Sequence, residues 1–217
     1  MDVSILIDFA DELKTKFSLP GSAAPEDQLK APVAELLKRA GADIGLQIDT
    51  RTESTLSDLK ARPDIAIHVA GLICGYIELK APGSGADAPK LKGKHNKNQW
   101  KKLKSLPNLI YTDGCEWAHY RNGERQGLIV RLDGDPTTDG KYAISEENAD
   151  RLGTILQDFL NWEPRVPDKA ELLAQYLAPL TRLLRSDIET ALKDSESASS
   201  LLATQWRKFF FPDADNS

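Results

Sequence analysis

The stretch that decides the fold runs Arg62-Pro-Asp-Ile-Ala-Ile-His-Val-Ala-Gly71 and on through Leu72-Ile-Cys-Gly-Tyr-Ile-Glu-Leu-Lys80. Side chains of a strand alternate between its two faces, so parity along each half tells which residues share a face. From 63 to 69 the odd positions Ile65, Ile67 and Val69 are apolar, and from 75 to 81 so are Ile77, Leu79 and Ala81. Asp64, Glu78 and Lys80 are all even and fall on the opposite face. The glycines of the segment 71–75 suggest the turn between the strands. A turn centred near Leu72 sets Asp64 opposite Lys80 and close to Glu78. Cross-strand neighbours lie about 5 Å apart and diagonal ones about 7–8 Å, close enough for two carboxylates to grip one small cation. A one-residue bulge would be expected to turn one strand over and destroy the arrangement.

Two carboxylates beside one ammonium suit divalent-metal chemistry on a phosphodiester. Mg²⁺ takes oxygen ligands, usually one or two carboxylates with waters and substrate phosphate. Asp64 and Glu78 are the candidate ligands, and the backbone carbonyl of Leu79 is a third oxygen. Mn²⁺ is the expected substitute ion. Lys80 is placed to orient an attacking water or to offset developing negative charge. The competing reading is a solvent-facing sheet bearing one Asp–Lys pair worth about 0–1 kcal/mol. Acid-x-Lys also occurs at Glu12, Asp58 and Asp139, but none of these sits in an alternating apolar run.

Residues 79 to 104 hold eight lysines and one acid, Asp87, in a chain with 28 basic and 33 acidic residues and a net charge of −5. The positive charge is therefore local. A basic segment next to an acidic cluster is what a phosphate-backbone substrate requires. Lys90, Lys92, Lys94, His95, Lys97 and Lys101 are the candidate DNA contacts. The Gly/Pro/Ser segment 82–89 reads as a mobile loop. It is not a phosphate-binding loop of the Walker kind, because Gly93-Lys94 lacks both the upstream glycine and a following Ser or Thr.

With Arg62-Pro-Asp-Ile-Ala-Ile, Gly75-Tyr-Ile-Glu-Leu-Lys-Ala-Pro-Gly83, Lys92-Gly-Lys-His-Asn-Lys-Asn-Gln-Trp100 and Leu106-Pro-Asn-Leu-Ile-Tyr-Thr-Asp-Gly114 side by side, the chain resembles the PD-(D/E)xK nuclease superfamily. More narrowly, it is similar to the N-terminal nuclease domain of single-polypeptide restriction-modification enzymes. The resemblance covers about residues 20 to 130. It implies a restriction-endonuclease-like α/β/α core with a mixed central sheet. It also implies a Mg²⁺-dependent DNA endonuclease of restriction type that acts in phage defence on double-stranded DNA. A methyltransferase, specificity or motor module would sit in the same polypeptide or complex. Glu26 matches the acid that the family carries on its first core helix, and Gln99 matches its glutamine after the motif strand. Asp64, Glu78, Lys80, Glu26 and Gln99 are thus the expected catalytic set. Two other readings stay open: a non-catalytic DNA-binding or scaffold module that keeps the fold, and a repair or recombination nuclease. Methyltransferase and helicase motifs are absent from the sequence.

Around this core the periodicity predicts helices at 2–17 and 25–40, a strand near 44–50 and the motif hairpin at 63–81. A short helix follows at 96–105 and a strand at 109–112. Strands at 116–120 and 127–132 flank the turn signal Asn122-Gly123. Helices are expected at 145–161, 168–193 and 198–210. The expected division is a nuclease core at 1–141 and a helical segment at 142–217 that packs on the core or leads to a further domain. Leu172, Leu173, Tyr176, Leu177, Leu180, Leu183 and Leu184 form an apolar stripe there, and the tail Trp206 to Pro212 is rich in aromatics. Cys74 and Cys115 have no zinc spacing and suggest a reducing, cytoplasmic setting. No apolar run is long enough to span a membrane. His68 shares the face of Asp64 and is a candidate supporting residue, whereas His119 reads as structural. No Ser/His/Asp arrangement is detectable.

Overall fold

A computed structural model describes residues 1–19, 24–52 and 62–162, together with Ala178, Thr181, Arg182 and Arg185. The apolar stripe from Leu172 to Leu184, the aromatic tail and the expected helices at 168–193 and 198–210 lie outside the described residues, those four positions excepted. Two helices open the chain, α1 (Val3–Ser18) and α2 (Pro25–Asp43). The Asp2 carboxylate accepts the Ser4 N–H and caps α1. Pro25 begins α2, where a missing N–H costs nothing, and Glu26 and Asp27 sit in its first turn.

Six strands form one sheet in sequence order: β1 (Ile48–Thr52), β2 (Ile65–Val69), β3 (Leu72–Leu79), β4 (Leu109–Thr112), β5 (Glu116–Arg121) and β6 (Glu124–Arg131). β3 and β4 are parallel and every other neighbouring pair is antiparallel, so the sheet is mixed. The β3–β4 crossover carries α3 (Lys94–Leu103). After β6 come a short helix, α4 (Pro136–Asp139), and then α5 (Glu146–Leu160), which Ser145 caps.

One face of the sheet presents Ile65, Ile67, Ile77, Leu79, Ile110 and Trp117 to α1, α2 and α5. α5, which begins beyond the expected boundary at 141, buries Leu152, Leu156 and Phe159 in that same layer. The other face is not open to solvent, contrary to the competing reading of the sequence. Ala66, Tyr76, Leu109, Tyr111 and Tyr120 lie there beneath Ala86, Ala88, Leu91, Leu103 and Trp100. The segment 82–93, expected to be mobile, is anchored. The Ala88 N–H donates to the Tyr120 hydroxyl, and that hydroxyl donates to the Ala86 carbonyl. The N–H groups of Gly85 and Ala86 donate to Asp113 and Glu116.

The motif hairpin turns at Ala70-Gly71 rather than within 71–75. Both turn residues have positive φ, 49° and 80°, as the primed two-residue turn demands. Such a turn, running on without interruption, would set Asp64 opposite Ile77 and on the face away from Glu78. An extra residue corrects this. Ile67 pairs with Gly75 while His68 pairs with Ile73, which leaves Cys74 as a bulge. Beyond it Ile65 pairs with Ile77, so the next position aligns Asp64 with Glu78, not with Lys80 as the sequence suggested. The bulge, expected to destroy the arrangement, is what creates it.

Candidate active site

Each residue of the expected catalytic set is held by a specific contact. Asp64 follows Pro63 at the mouth of β2, and its Oδ2 accepts the Leu79 N–H at 2.8 Å. Glu78 and Lys80 flank Leu79 at the end of β3 and are 1% and 3% exposed. The Lys80 Nζ donates to Glu78 Oε1 at 2.6 Å and to Gln99 Oε1 at 2.9 Å. The Gln99 amide nitrogen in turn donates to Glu78 Oε1 at 2.5 Å. One oxygen of Glu78 thus takes two donors, while Oε2 is buried without a hydrogen-bond partner. Glu26, in the first turn of α2, accepts the Ala81 N–H at 3.2 Å. Two helices and one hairpin therefore converge on a single point.

Electrostatics make this a costly place for two anions. Burial pushes the Glu78 carboxyl up to about 8, the neighbouring Asp64 pushes in the same direction, and Lys80 opposes. Asp64 is also raised, chiefly by burial; the Leu79 N–H, Lys80 and Lys30 pull it back, and Glu26 adds to the rise. An unpartnered buried carboxylate oxygen beside a second carboxylate is the kind of donor set a small hard cation satisfies. Among the described residues no three His, Cys, Asp or Glu side chains are grouped closely enough to hold a metal ion by themselves. The acidic donors are thus two carboxylates, hard oxygen ligands whose chemistry fits Mg²⁺ and does not fit a closed zinc site.

No family model matches the chain, and no curated protein matches it in sequence. Its structure is similar to a chain in a cryo-EM structure of a DrdV–DNA complex, with a TM-score of 0.52 and 21% identity. The match covers 75% of this chain and 14% of that one. The fold is restriction-endonuclease-like. The chain accordingly spans a small part of the length of the protein it matches.

The remaining expected residues divide. Lys90, Lys92, Lys94, His95, Lys97 and Lys101 are all exposed, and Lys90 is paired with Asp87 at 2.8 Å. On α3, helical spacing puts Lys94, Lys97 and Lys101 on one stripe, with Gln99, Trp100 and Leu103 on the other side. The lysines thus line the outer face of the helix whose inner face carries Gln99. His68 lies four residues along the strand from Asp64, about 13 Å at strand rise, too far to support it directly. His119 is structural. Burial lowers it to about 3, and its Nε2 donates to the Oδ1 of Asn108, whose amide nitrogen donates to the carbonyls of Cys74 and Phe159.

Two residues escaped the sequence reading. Lys30 lies 2.7 Å from Asp27 and 4.0 Å from Asp64 Oδ1. Its signal was available, because it follows Glu26 by four residues and so shares its helix face. Tyr111 is opposite Glu78 in the parallel β3–β4 pair. Among the apolar residues of β4 it reads as core, and only the pairing brings it to the carboxylates.

Among the described residues no helix is long and apolar enough to cross a membrane.

Proposed function

We propose that this chain is a divalent-cation-dependent DNA endonuclease domain of restriction type. The observation that carries the reading is the aligned pair of half-buried Asp64 and buried Glu78, with one Glu78 oxygen unpartnered and Lys80 held between Glu78 and Gln99. Mg²⁺, or Mn²⁺ in its place, would be held by Asp64, by Glu78 Oε2 and by the Leu79 carbonyl. Bound there, the cation supplies Lewis acidity to the scissile phosphate and a water of lowered pKa. The chain's own residues do the rest. The Leu79 N–H fixes the Asp64 carboxylate, and Lys80 and Gln99 together occupy Oε1 of Glu78 and so keep Oε2 turned free. Lys80 brings a cation to where negative charge grows on the phosphate, in a dry site where charge interactions are strong. Glu26 holds the start of the loop after β3 through the Ala81 N–H.

The exposed lysines of α3 are read as contacts to the phosphate backbone of double-stranded DNA flanking the cleavage point. Recognition of a target sequence, and any methyltransferase or motor module, belong on this reading to another part of the same polypeptide or complex.

The test is cleavage of supercoiled plasmid in Mg²⁺ or Mn²⁺, beside EDTA and the variants Asp64→Ala and Lys80→Ala. The reading expects metal-dependent nicking that EDTA and both substitutions abolish. Folded protein that binds the plasmid but does not cut it, even with a methyltransferase or motor module restored, would instead make this a DNA-binding scaffold. Cleavage that depends on the methylation state of the plasmid separates a restriction role from a repair role.

A further inference from the structure

Tyr111 carries an anomaly the proposed reaction does not use. Its side chain is 1% exposed, and its hydroxyl is buried with no hydrogen-bond partner among the described residues. An unsatisfied buried hydroxyl is costly, and a phenylalanine would fill the same space without that cost. The ring is firmly seated, edge-on to Trp100 at 5.8 Å and to Tyr120 at 5.9 Å, with Lys80 Nζ 5.9 Å from its centroid. Partners in a parallel pair project to the same side, so Tyr111 and Glu78 stand next to each other on one face. Burial, and after it the neighbouring Glu78, disfavours an ionised phenol there, so the hydroxyl stays a donor. The indole nitrogen of Trp117 is also buried and unpartnered, but it lies in the apolar layer against Phe9. Among the described residues, Tyr111 thus brings an unpartnered hydroxyl to the strand position beside Glu78, whose Oε2 is also unpartnered.

We propose that Tyr111 is a positioning residue of this site, its hydroxyl donating to a water held beside a cation bound by Asp64 and Glu78. The inference rests on the metal-site reading above. Such a water would give the hydroxyl the partner it lacks among the described residues. It orients that water in the way outer-shell donors orient the ligands of other metal sites.

The decisive variant is Tyr111→Phe, which keeps the ring and its packing. Mn²⁺ affinity is measured by titration calorimetry, and the melting temperature in EDTA, for wild type, Tyr111→Phe and Asp64→Ala. The proposal expects Tyr111→Phe to bind Mn²⁺ about tenfold more weakly, the usual effect of losing an outer-shell partner. Its melting temperature in EDTA should be unchanged or higher. Plasmid cleavage at subsaturating Mn²⁺ should fall in parallel. Wild-type affinity in Tyr111→Phe, with binding lost in Asp64→Ala, overturns this inference and leaves the nuclease reading standing. A lowered melting temperature in EDTA assigns the hydroxyl to packing and also overturns it. No Mn²⁺ binding by wild type overturns both.

Discussion

Glu78→Gln tests the electrostatics of the site without any substrate. A carboxyl that titrates near 8 instead of 4.5 keeps its proton in the folded protein over a range in which the unfolded chain has already released it. The folded state then binds more protons than the unfolded state, so stability falls as pH rises through that window. Below about pH 4.5 the effect is absent; across the window it grows by about 1.4 kcal/mol per pH unit. Between pH 5 and pH 8 the loss is roughly 4 kcal/mol, a large share of the stability of an ordinary domain. Glutamine cannot ionise, so Glu78→Gln removes this slope. It adds a pH-independent cost of about 1–3 kcal/mol, because its amide nitrogen takes the place of the unpartnered Oε2 or displaces the donors on Oε1. The quantity to measure is therefore the difference between variant and wild type in urea unfolding free energy, in EDTA, from pH 5 to pH 9. It should move in favour of the variant as pH rises and level off above pH 8. Addition of 10 mM Mg²⁺ should then stabilise wild type by mass action and leave the variant unchanged. A difference that is flat with pH, or that moves against the variant as pH rises, refutes the reasoning.

Four further outcomes follow from the same geometry. Apparent Mg²⁺ affinity, followed by thermal shift, should strengthen about fivefold from pH 7 to pH 8, because the ion must displace the Glu78 proton. Gly75→Ala should cost several kcal/mol in urea unfolding, since its Cβ would stand 2.7 Å from the Phe159 ring and 2.8 Å from both the side-chain nitrogen and the carbonyl of Asn108. Ala70→Gly should stabilise by up to about 1 kcal/mol, because alanine at φ 49° carries a left-handed penalty that glycine escapes. Replacing Lys94, Lys97 and Lys101 together by alanine should reduce the slope of log DNA affinity against log salt by about 2–3 while leaving Mg²⁺ affinity unchanged.

How much of this was legible in the residues varies along the chain. The helices α1, α2 and α5 carry clean apolar spacing, and Asn122-Gly123 announces its turn, so their positions are close to expectation. The face that carries Asp64, Glu78 and Lys80 was legible by parity, and parity survives. Its register was not, because nothing marks Ala70 as a residue that adopts positive φ, and nothing marks Cys74 as a bulge. Two unreadable features offset each other: the tight turn shifts the pairing by an odd number of residues, and the bulge shifts it back. The burial of that face was also hidden. Alternation tells which residues share a face but not what covers them, and the cover here is a loop whose apolar residues, Ala86, Ala88 and Leu91, are too sparse to announce themselves. Tyr111 was hidden for a related reason, since its neighbour Glu78 is more than thirty residues away in sequence and is met only through a parallel pairing.

The burial of the site carries a consequence for how the fold tolerates it. On an open sheet face, Asp64 and Glu78 would be solvated, their mutual repulsion would be slight, and a cation would gain little by binding between them. Under Trp100 and the loop after β3, the two acids raise each other's cost, and Lys80 cannot neutralise both. Hydrogen bonds recover part of that cost on two of the four oxygens, the Leu79 N–H on Asp64 Oδ2 and Lys80 and Gln99 on Glu78 Oε1, and Lys30, 4.0 Å from Asp64 Oδ1, adds a long ion pair to a third. The fourth, Glu78 Oε2, is left with nothing, and the nearest strand neighbour on that side offers a hydroxyl that is itself unpartnered. A sheet selected for stability alone would have leucine and phenylalanine at 78 and 111. Residual polarity gathered at one point and aimed inward is what the proposed cation site requires.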